Sequence, residues 1–358
     1  MRIALLGPSR HPVAEPFAGG QESYVATLAA ALRHRGHYVT LYAASGSNDS
    51  LADTVLTYPH LPRLSAVAAL DFQLPEPGFL RDQHAFLWAI DQLITHRADI
   101  DVVHNNSLHH LPLVASHAVG LPLVTTLHTP PFPWMELGVA LADPRARFVT
   151  VSNALAAQWT TLAEQPDVIP SGVDARAFAA GPGGPDAVWA GRLVPEKGAD
   201  LAVRAAQRAG RPLRLIGPLG DQEWFDQRVR PLLGQDITYE GHLNHADMAH
   251  LLGNAGVTLM TPRWDEPFGL IGVESALTGT PVLAIDRGGV AEVVDQHMGV
   301  MVRPRHTEED TVAALSGSLD EAAALCRAAV RASATARFDV DRMAADYEDV
   351  YRHAVARW

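Results

Sequence analysis

Lysine is almost missing from this chain of 358 residues: of its 28 basic residues Lys197 is the one lysine, and the rest are arginine. An arginine bias of this size is compositional, and a lone lysine on a solvated loop is one reading of it. The other is chemical. An ammonium is a compact point charge that forms Schiff bases, which a guanidinium cannot replace, so Lys197 is a candidate functional group. Cysteine is equally scarce. Cys326 stands alone, which excludes an internal disulfide and fits a reducing cytoplasm. No apolar run reaches the roughly 18 residues that a membrane span needs. The opening "MRIALLGPSRH" is too short for a signal h-region and reads as a first strand.

Positive charge is also in deficit. The formal net charge is −12. Residues 1–170 carry nine arginines against fourteen Asp and Glu, a net −5, and the remainder nineteen basic against 26 acidic, a net −7. Neither half is basic, which argues against nucleic acid as a partner. The lack of a basic cluster also argues against stable docking on anionic lipid. An anionic ligand must therefore be held by a local cluster of cations. Three motifs are missing as well: the G-x-G-x-x-G dinucleotide fingerprint, the G-x-S-x-G nucleophile elbow, and any Cys/His/Asp set with metal-ligand spacing.

What the chain does have is alternation. In the first half "RIALLG", "YVTLYA", "DVVHNN", "PLVTTLHT" and "RFVTVS" read as strands, and in the second "AVWAG", "LRLIG", "ITYEG", "VTLMTP" and "PVLAI" do so. Amphipathic segments separate them. In "GGQESYVATLAAALRHRGH" the residues Tyr24, Leu28 and Leu32 share one helical face, and Gly36 ends the helix. Strand–helix alternation indicates parallel sheets covered by helices, and two such series in 358 residues indicate an α/β protein of two doubly wound domains. The break lies near "VIPSGVDARAFAAGPGGPDAVWAG". The expected division is 1–170 and 171–336, with a last helix at about 337–358 crossing back to the first domain.

Ligands of open α/β sheets bind beyond the carboxyl ends of strands, where loops lead into helices. Gly19 and Gly20 follow the first strand and open a helix, a place for close backbone approach and for phosphate on free amides; a flexible loop is the alternative. Arg192 and Lys197, in "RLVPEKGAD", follow the strand "VWAG". Two cations near a helix N-terminus suit a diphosphate. The alternative is a solvated pair beside Glu196. In "RWDEPFGLIGVES", Glu266 stands on a loop before Pro267, and Pro267 is expected in the first turn of a helix that carries Glu274. Eight helical residues would rise about 12 Å, too far for two carboxylates to share a proton and about the length of a sugar diphosphate. The amides of Phe268, Gly269 and Leu270 would face that diphosphate. Dipole complement for Glu266 and an ordinary helix position for Glu274 are the bland readings. His128 ends a strand in "TTLHTPP", where a structural histidine is the commoner role; the same holds for His104, His109 and His110.

Taken together, "FAGGQE", "LHTP", "VSN", "IPSGVD", "GRLVPEKG", "GHLNHADMAHLL", "RWDEPFGLIGVESALTGTPVLA" and "RGGVAEVV" resemble the retaining family 4 glycosyltransferases of the GT-B fold. The resemblance runs over most of the chain in the family's order. It implies two Rossmann-like domains facing a cleft and transfer of a hexose from a nucleotide diphosphate sugar, a UDP-sugar foremost, to a soluble small-molecule or glycan acceptor. It implies no cofactor and no metal, since cations and helix dipoles take the ion's place. It also implies roles. Arg192 and Lys197 hold the diphosphate, Glu266 contacts the donor sugar, Glu274 the ribose, and the amides of Phe268, Gly269 and Leu270 the sugar and phosphates. Gly19 and Gly20 approach the donor from the other domain, and His128 contacts the transferred sugar. Ser171 stands where the family often has Asn. A PLP-dependent phosphorylase with Lys197 as its Schiff base, a nucleotide-sugar epimerase and a catalytically silent nucleotide-sugar-binding module are the competing readings. The acceptor is expected to be chosen by segments near 9–19, 60–80, 104–110 and 130–138.

Overall fold

A computed structural model describes residues 1–70 and 76–358; residues 71–75, inside the expected acceptor segment 60–80, lie outside the described residues. The strands are β1 (Arg2–Leu6), β2 (Tyr38–Ala43), β3 (Thr54–Thr57), β4 (Val102–Asn105), β5 (Leu123–Leu127), β6 (Arg147–Thr150), β7 (Asp167–Val168), β8 (Ala187–Ala190), β9 (Leu213–Ile216), β10 (Ile237–Tyr239), β11 (Val257–Met260), β12 (Val282–Ile285) and β13 (Gly299–Val302). They form a seven-stranded sheet in the order β3-β2-β1-β4-β5-β6-β7 and a six-stranded sheet in the order β10-β9-β8-β11-β12-β13. Every pairing is parallel. These are two Rossmann-like, doubly wound sheets, in agreement with the alternation in the sequence.

Chain contacts separate two units. One comprises Met1–Val151, Ala156–Ile169 and Ala344–Trp358; the other comprises Ser152–Leu155 and Pro170–Met343. The last helix, Val340–Arg357, therefore contributes most of its length to the first unit.

The central strands β4, β5, β8, β11 and β12 are buried along their whole length, because helices cover both faces of a parallel sheet. That is why they read as continuous apolar runs. The first helix, Gly20–His34, packs with the expected face: Tyr24, Leu28 and Leu32 are 3%, 0% and 0% exposed. In the second unit Trp189, Leu193, Leu215, Phe225, Leu259 and Leu283 share one core.

The first unit also buries polar groups. His104 Nδ1 lies 2.7 Å from the Tyr351 hydroxyl, and its Nε2 lies 2.8 Å from Thr126 Oγ1. Thr126 Oγ1 meets the Tyr347 hydroxyl at 2.8 Å, and Tyr24 donates to Tyr347. Buried polar groups of this kind must find partners among themselves. The network ties the C-terminal helix to β4, β5 and the first helix. Burial first, and then His128, pushes the His104 imidazole down to about 3. No helix among the described residues is long and apolar enough to cross a membrane.

Candidate functional site

Each sheet has one point where the strand order reverses, and crevices for ligands open there, beyond the carboxyl ends of the two diverging strands. In the second unit the reversal falls between β8 and β11. The loop after β8 carries Arg192 and Lys197; the loop after β11 carries Glu266. The fold brings the last two together across 69 residues. Lys197 Nζ lies 2.7 Å from both oxygens of the Glu266 carboxylate. The side chains are 22% and 12% exposed, so the pair is partly shielded from water.

Trp264 completes this contact. Its indole N–H donates to Glu266 Oε2 at 2.8 Å, and Lys197 Nζ sits 5.2 Å from the ring centroid. The ammonium is thus held by a carboxylate and an aromatic face. The Arg192 side chain is exposed and has no hydrogen-bond or ion-pair partner among the described residues, while its carbonyl accepts from the Val194 amide at 3.0 Å.

The two loops are stitched together by residues that pattern reading passed over. Arg263 makes a two-pronged ion pair with the buried Asp200, 2.7 Å to each oxygen. Its amide donates to Glu196 O at 2.8 Å. Thr261 Oγ1 donates to Gly198 O at 2.7 Å and accepts from Trp189 Nε1 at 3.0 Å. Gly198, with φ +69°, separates the 3-10 turn Pro195–Lys197 from the helix Ala199–Ala209. A Cβ there would stand 2.0 Å from Thr261 O. A side chain at 198 would wedge the loops apart.

The helix behind Glu266 starts later than expected. It runs Leu270–Leu277, and Pro267 lies outside it. Gly269 has φ +100°, which a right-handed helix does not admit, so Phe268 and Gly269 form an approach to the helix and not its first turn. The amides of Phe268, Gly269 and Leu270 have no hydrogen-bond acceptor among the described residues. Pro267 is held from two sides: Ser152 Oγ donates to its carbonyl at 2.6 Å, and the Gly289 amide donates to the neighbouring Glu266 carbonyl at 2.7 Å. Glu274 lies inside the helix as expected, 6% exposed. Its nearest charge partner is His245 Nε2 at 4.0 Å. Burial pushes its carboxyl up to about 7.

In the first unit the strand order reverses between β1 and β4. Gly19 caps, and Gly20 begins, the helix that follows β1. His128 follows β5. Its Nε2 lies 3.0 Å from Asn106 Oδ1, and the Tyr24 ring meets it edge-on at 4.7 Å. Desolvation pushes its imidazole down to about 3, so it is neutral at physiological pH. Asn106, just after β4, is fully buried, and its Nδ2 has no partner among the described residues. Among the described residues no three His, Cys, Asp or Glu side chains gather where they could share a metal ion.

Two doubly wound units, each with polar groups at a reversal of strand order, have the architecture of the GT-B fold. Comparison with known proteins gives the family. Residues 18–177 match the model of Glycosyltransferase Family 4, and residues 175–333 match that of Glycosyl transferases group 1. The chain belongs to glycosyltransferase family 4, and its reaction is glycosyl transfer from a nucleotide-sugar donor.

It is similar to the MMP alpha-(1->4)-mannosyltransferase of Mycolicibacterium hassiacum, 29% identical over 420 aligned positions that cover 100% of this chain and 99% of the relative. It is also similar to the D-inositol 3-phosphate glycosyltransferase of Acidothermus cellulolyticus, 28% identical over 99% of this chain and 91% of the relative. Among solved structures, Anabaena HepE in complex with UDP and glucose superposes with a TM-score of 0.75 at 21% identity, over 98% of this chain and 99% of that one. At that identity the likeness speaks for the fold. The family does not favour a phosphorylase, an epimerase or a silent binding module.

Proposed function

We propose that the chain moves a hexose, with retention of anomeric configuration, from a UDP-sugar to a hydroxyl of a soluble acceptor, without a metal ion. The observation that carries this reading is the meeting of Lys197 and Glu266 at the strand-order reversal of the second sheet. One loop offers a cation for phosphate and the other a carboxylate for sugar hydroxyls, at one point.

Arg192 and Lys197 neutralise the diphosphate and stabilise the charge that grows on it as the glycosidic bond breaks. The amides of Phe268, Gly269 and Leu270 add donors at a helix start. Glu266 accepts hydrogen bonds from the donor sugar, and Glu274 from the ribose. Gly19 and Gly20 admit the donor close to the backbone, and neutral His128 contacts the transferred sugar. In the step itself the bond from C1 to the phosphate oxygen breaks. A bond from C1 to the acceptor oxygen forms on the same face, and the acceptor proton passes to the departing phosphate. The products are a glycoside and a nucleoside diphosphate. Ammonium, guanidinium and helix amides supply the positive charge a divalent ion would bring.

Thermal unfolding in EDTA with UDP-glucose, GDP-mannose and ADP-glucose tests donor choice, because a ligand bound by the folded state raises the melting temperature. UDP-glucose is expected to give the largest shift. Lys197→Ala and Glu266→Ala are expected to lose at least about 10²-fold in transfer while the fold survives. Unchanged transfer in either folded variant, or transfer abolished by EDTA, would overturn the assignment. GDP-mannose is the second reading for the donor, favoured by the mannosyltransferase relative.

A further inference from the structure

We propose that the exposed indole of Trp134 is the stacking platform of an acceptor subsite that takes an uncharged saccharide. This rests on the glycosyl-transfer reading above and names the class of its acceptor.

Trp134 lies in the helix Pro133–Ala140, in the segment after β5, and is 51% exposed. So large an apolar ring on a surface is usually loose, but this one is fixed by a ladder of rings. Phe86, buried in the first unit, stacks on His109 at 4.6 Å and 22°. His109 stacks on His110 at 4.6 Å and 24°, and His110 on Trp134 at 5.2 Å and 25°. Phe79 flanks the indole at 5.9 Å. The ladder starts in the core and ends at the surface in a rigid, open indole. A pre-ordered aromatic face loses little conformational entropy on binding, and it suits the C–H face of a pyranose.

The surroundings select against charge. Burial holds the His109 imidazole down to about 4, with His110 adding to the effect, and burial also lowers His110. Both rings are neutral at pH 7; the His109 nitrogens face the Leu111 amide and Gln83 Nε2, each at 3.3 Å, which leaves His110 to offer hydrogen bonds to hydroxyls. The cation beside them, Arg10, donates to Asp82 at 2.7 Å, so its charge is already balanced, and Asp82 also accepts from Ser9 Oγ at 2.8 Å. A phosphorylated acceptor would need a cation that no carboxylate already balances. A neutral sugar would not. These groups come from the loops after β1, β4 and β5 and from the start of the helix Pro77–Thr95. The loop after β5 is also the one that carries His128.

The test uses the full chain with maltotriose, α-mannotriose and myo-inositol 3-phosphate as probes. Saturation-transfer NMR without donor is expected to light up the ring protons of at least one trisaccharide. Trp134→Ala is expected to abolish that signal, and Trp134→Phe to retain part of it. With UDP-glucose or GDP-mannose as donor, Trp134→Ala is expected to raise the acceptor KM about tenfold. A thermal shift with UDP, measured in parallel, reports donor binding. Its absence from the wild type would sink the donor reading. Its presence without saturation of either trisaccharide would sink this proposal alone. Equal signals in wild type and Trp134→Ala, or transfer to myo-inositol 3-phosphate alone, would overturn it too. Leu137 in the same helix and Leu141 just past its end extend the apolar surface. Co-sedimentation with phosphatidylcholine vesicles that Trp134→Ala abolishes would make the face a lipid surface and refute the saccharide subsite.

Discussion

Replacing Glu274 by Gln should make the protein more stable and a poorer nucleotide binder, and the size of the first effect should depend on pH. Glu274 is 6% exposed, and burial raises its carboxyl from the ordinary 4.5 to about 7. The sign follows from proton binding. Between pH 4.5 and about 7 the folded state keeps a proton here that the unfolded state has released, so folding loses stability as pH rises through that window. Below it the penalty is absent. Above it the penalty is complete and amounts to about 3 kcal/mol, from a shift of roughly 2.5 units at 1.36 kcal/mol each. Glutamine carries no charge to bury. Glu274→Gln should therefore match the wild type near pH 4.5 and gain up to about 3 kcal/mol by pH 8, on the order of 6–12 °C in the melting temperature of a unit this size. Urea denaturation at pH 5, 6, 7 and 8 measures the first, and titration with UDP at pH 8 measures the second. The ribose diol would lose an ionised acceptor, so UDP affinity should fall about tenfold or more. A stability difference that is flat from pH 5 to 8, or unchanged UDP affinity, would refute the reasoning.

Two further substitutions probe the scaffold. Tyr347→Phe removes a fully buried hydroxyl bonded to Tyr24 and Thr126, and should cost about 1–3 kcal/mol in urea denaturation by leaving their groups short of a partner; a loss below about 0.5 kcal/mol would mean that the network relaxes around the gap. Gly198→Ala places a methyl 2.0 Å from Thr261 O in left-handed backbone, which alone costs about 1–2 kcal/mol. It should lower both stability and UDP affinity, since the loop that moves carries Lys197; unchanged UDP affinity would disconnect the loop from the donor.

Much of this was legible before any coordinates, and the reasons are physical. Central strands of parallel sheets are buried on both faces, so "AVWAG", "VTLMTP" and "PVLAI" announce themselves. The strands that pattern reading passed over, β3, β7 and β13, are edge strands of their sheets. β7 is two half-buried residues, and β3 exposes part of its length. Pro267 misled because proline favours a helix start, while Gly269, two residues on, takes a backbone that no helix accepts. The ion pair of Arg263 with Asp200 could not be read at all. It depends on β8 and β11 being neighbours, and an alternation of strands and helices specifies handedness and layering but not which strands adjoin. The ladder under Trp134 was invisible for the same reason, since Phe86, His109 and Trp134 come from separate elements.

The meeting of Lys197 and Glu266 makes the two residues one unit of the site. Strand-end placement assigned them separate jobs, one on phosphate and one on sugar. In the structure each is the other's partner, at 2.7 Å and partly shielded from water. A phosphate that draws Lys197 away leaves the Glu266 carboxylate with only the Trp264 indole N–H as its remaining donor among the described residues. An under-compensated, half-buried carboxylate is costly, and sugar hydroxyls are the groups that would relieve it. A nucleoside diphosphate alone supplies the first half of that exchange; a nucleotide sugar supplies both. On the donor roles proposed above, the pair couples recognition of the phosphate to recognition of the sugar, so that the intact donor fits the site better than the product it leaves behind.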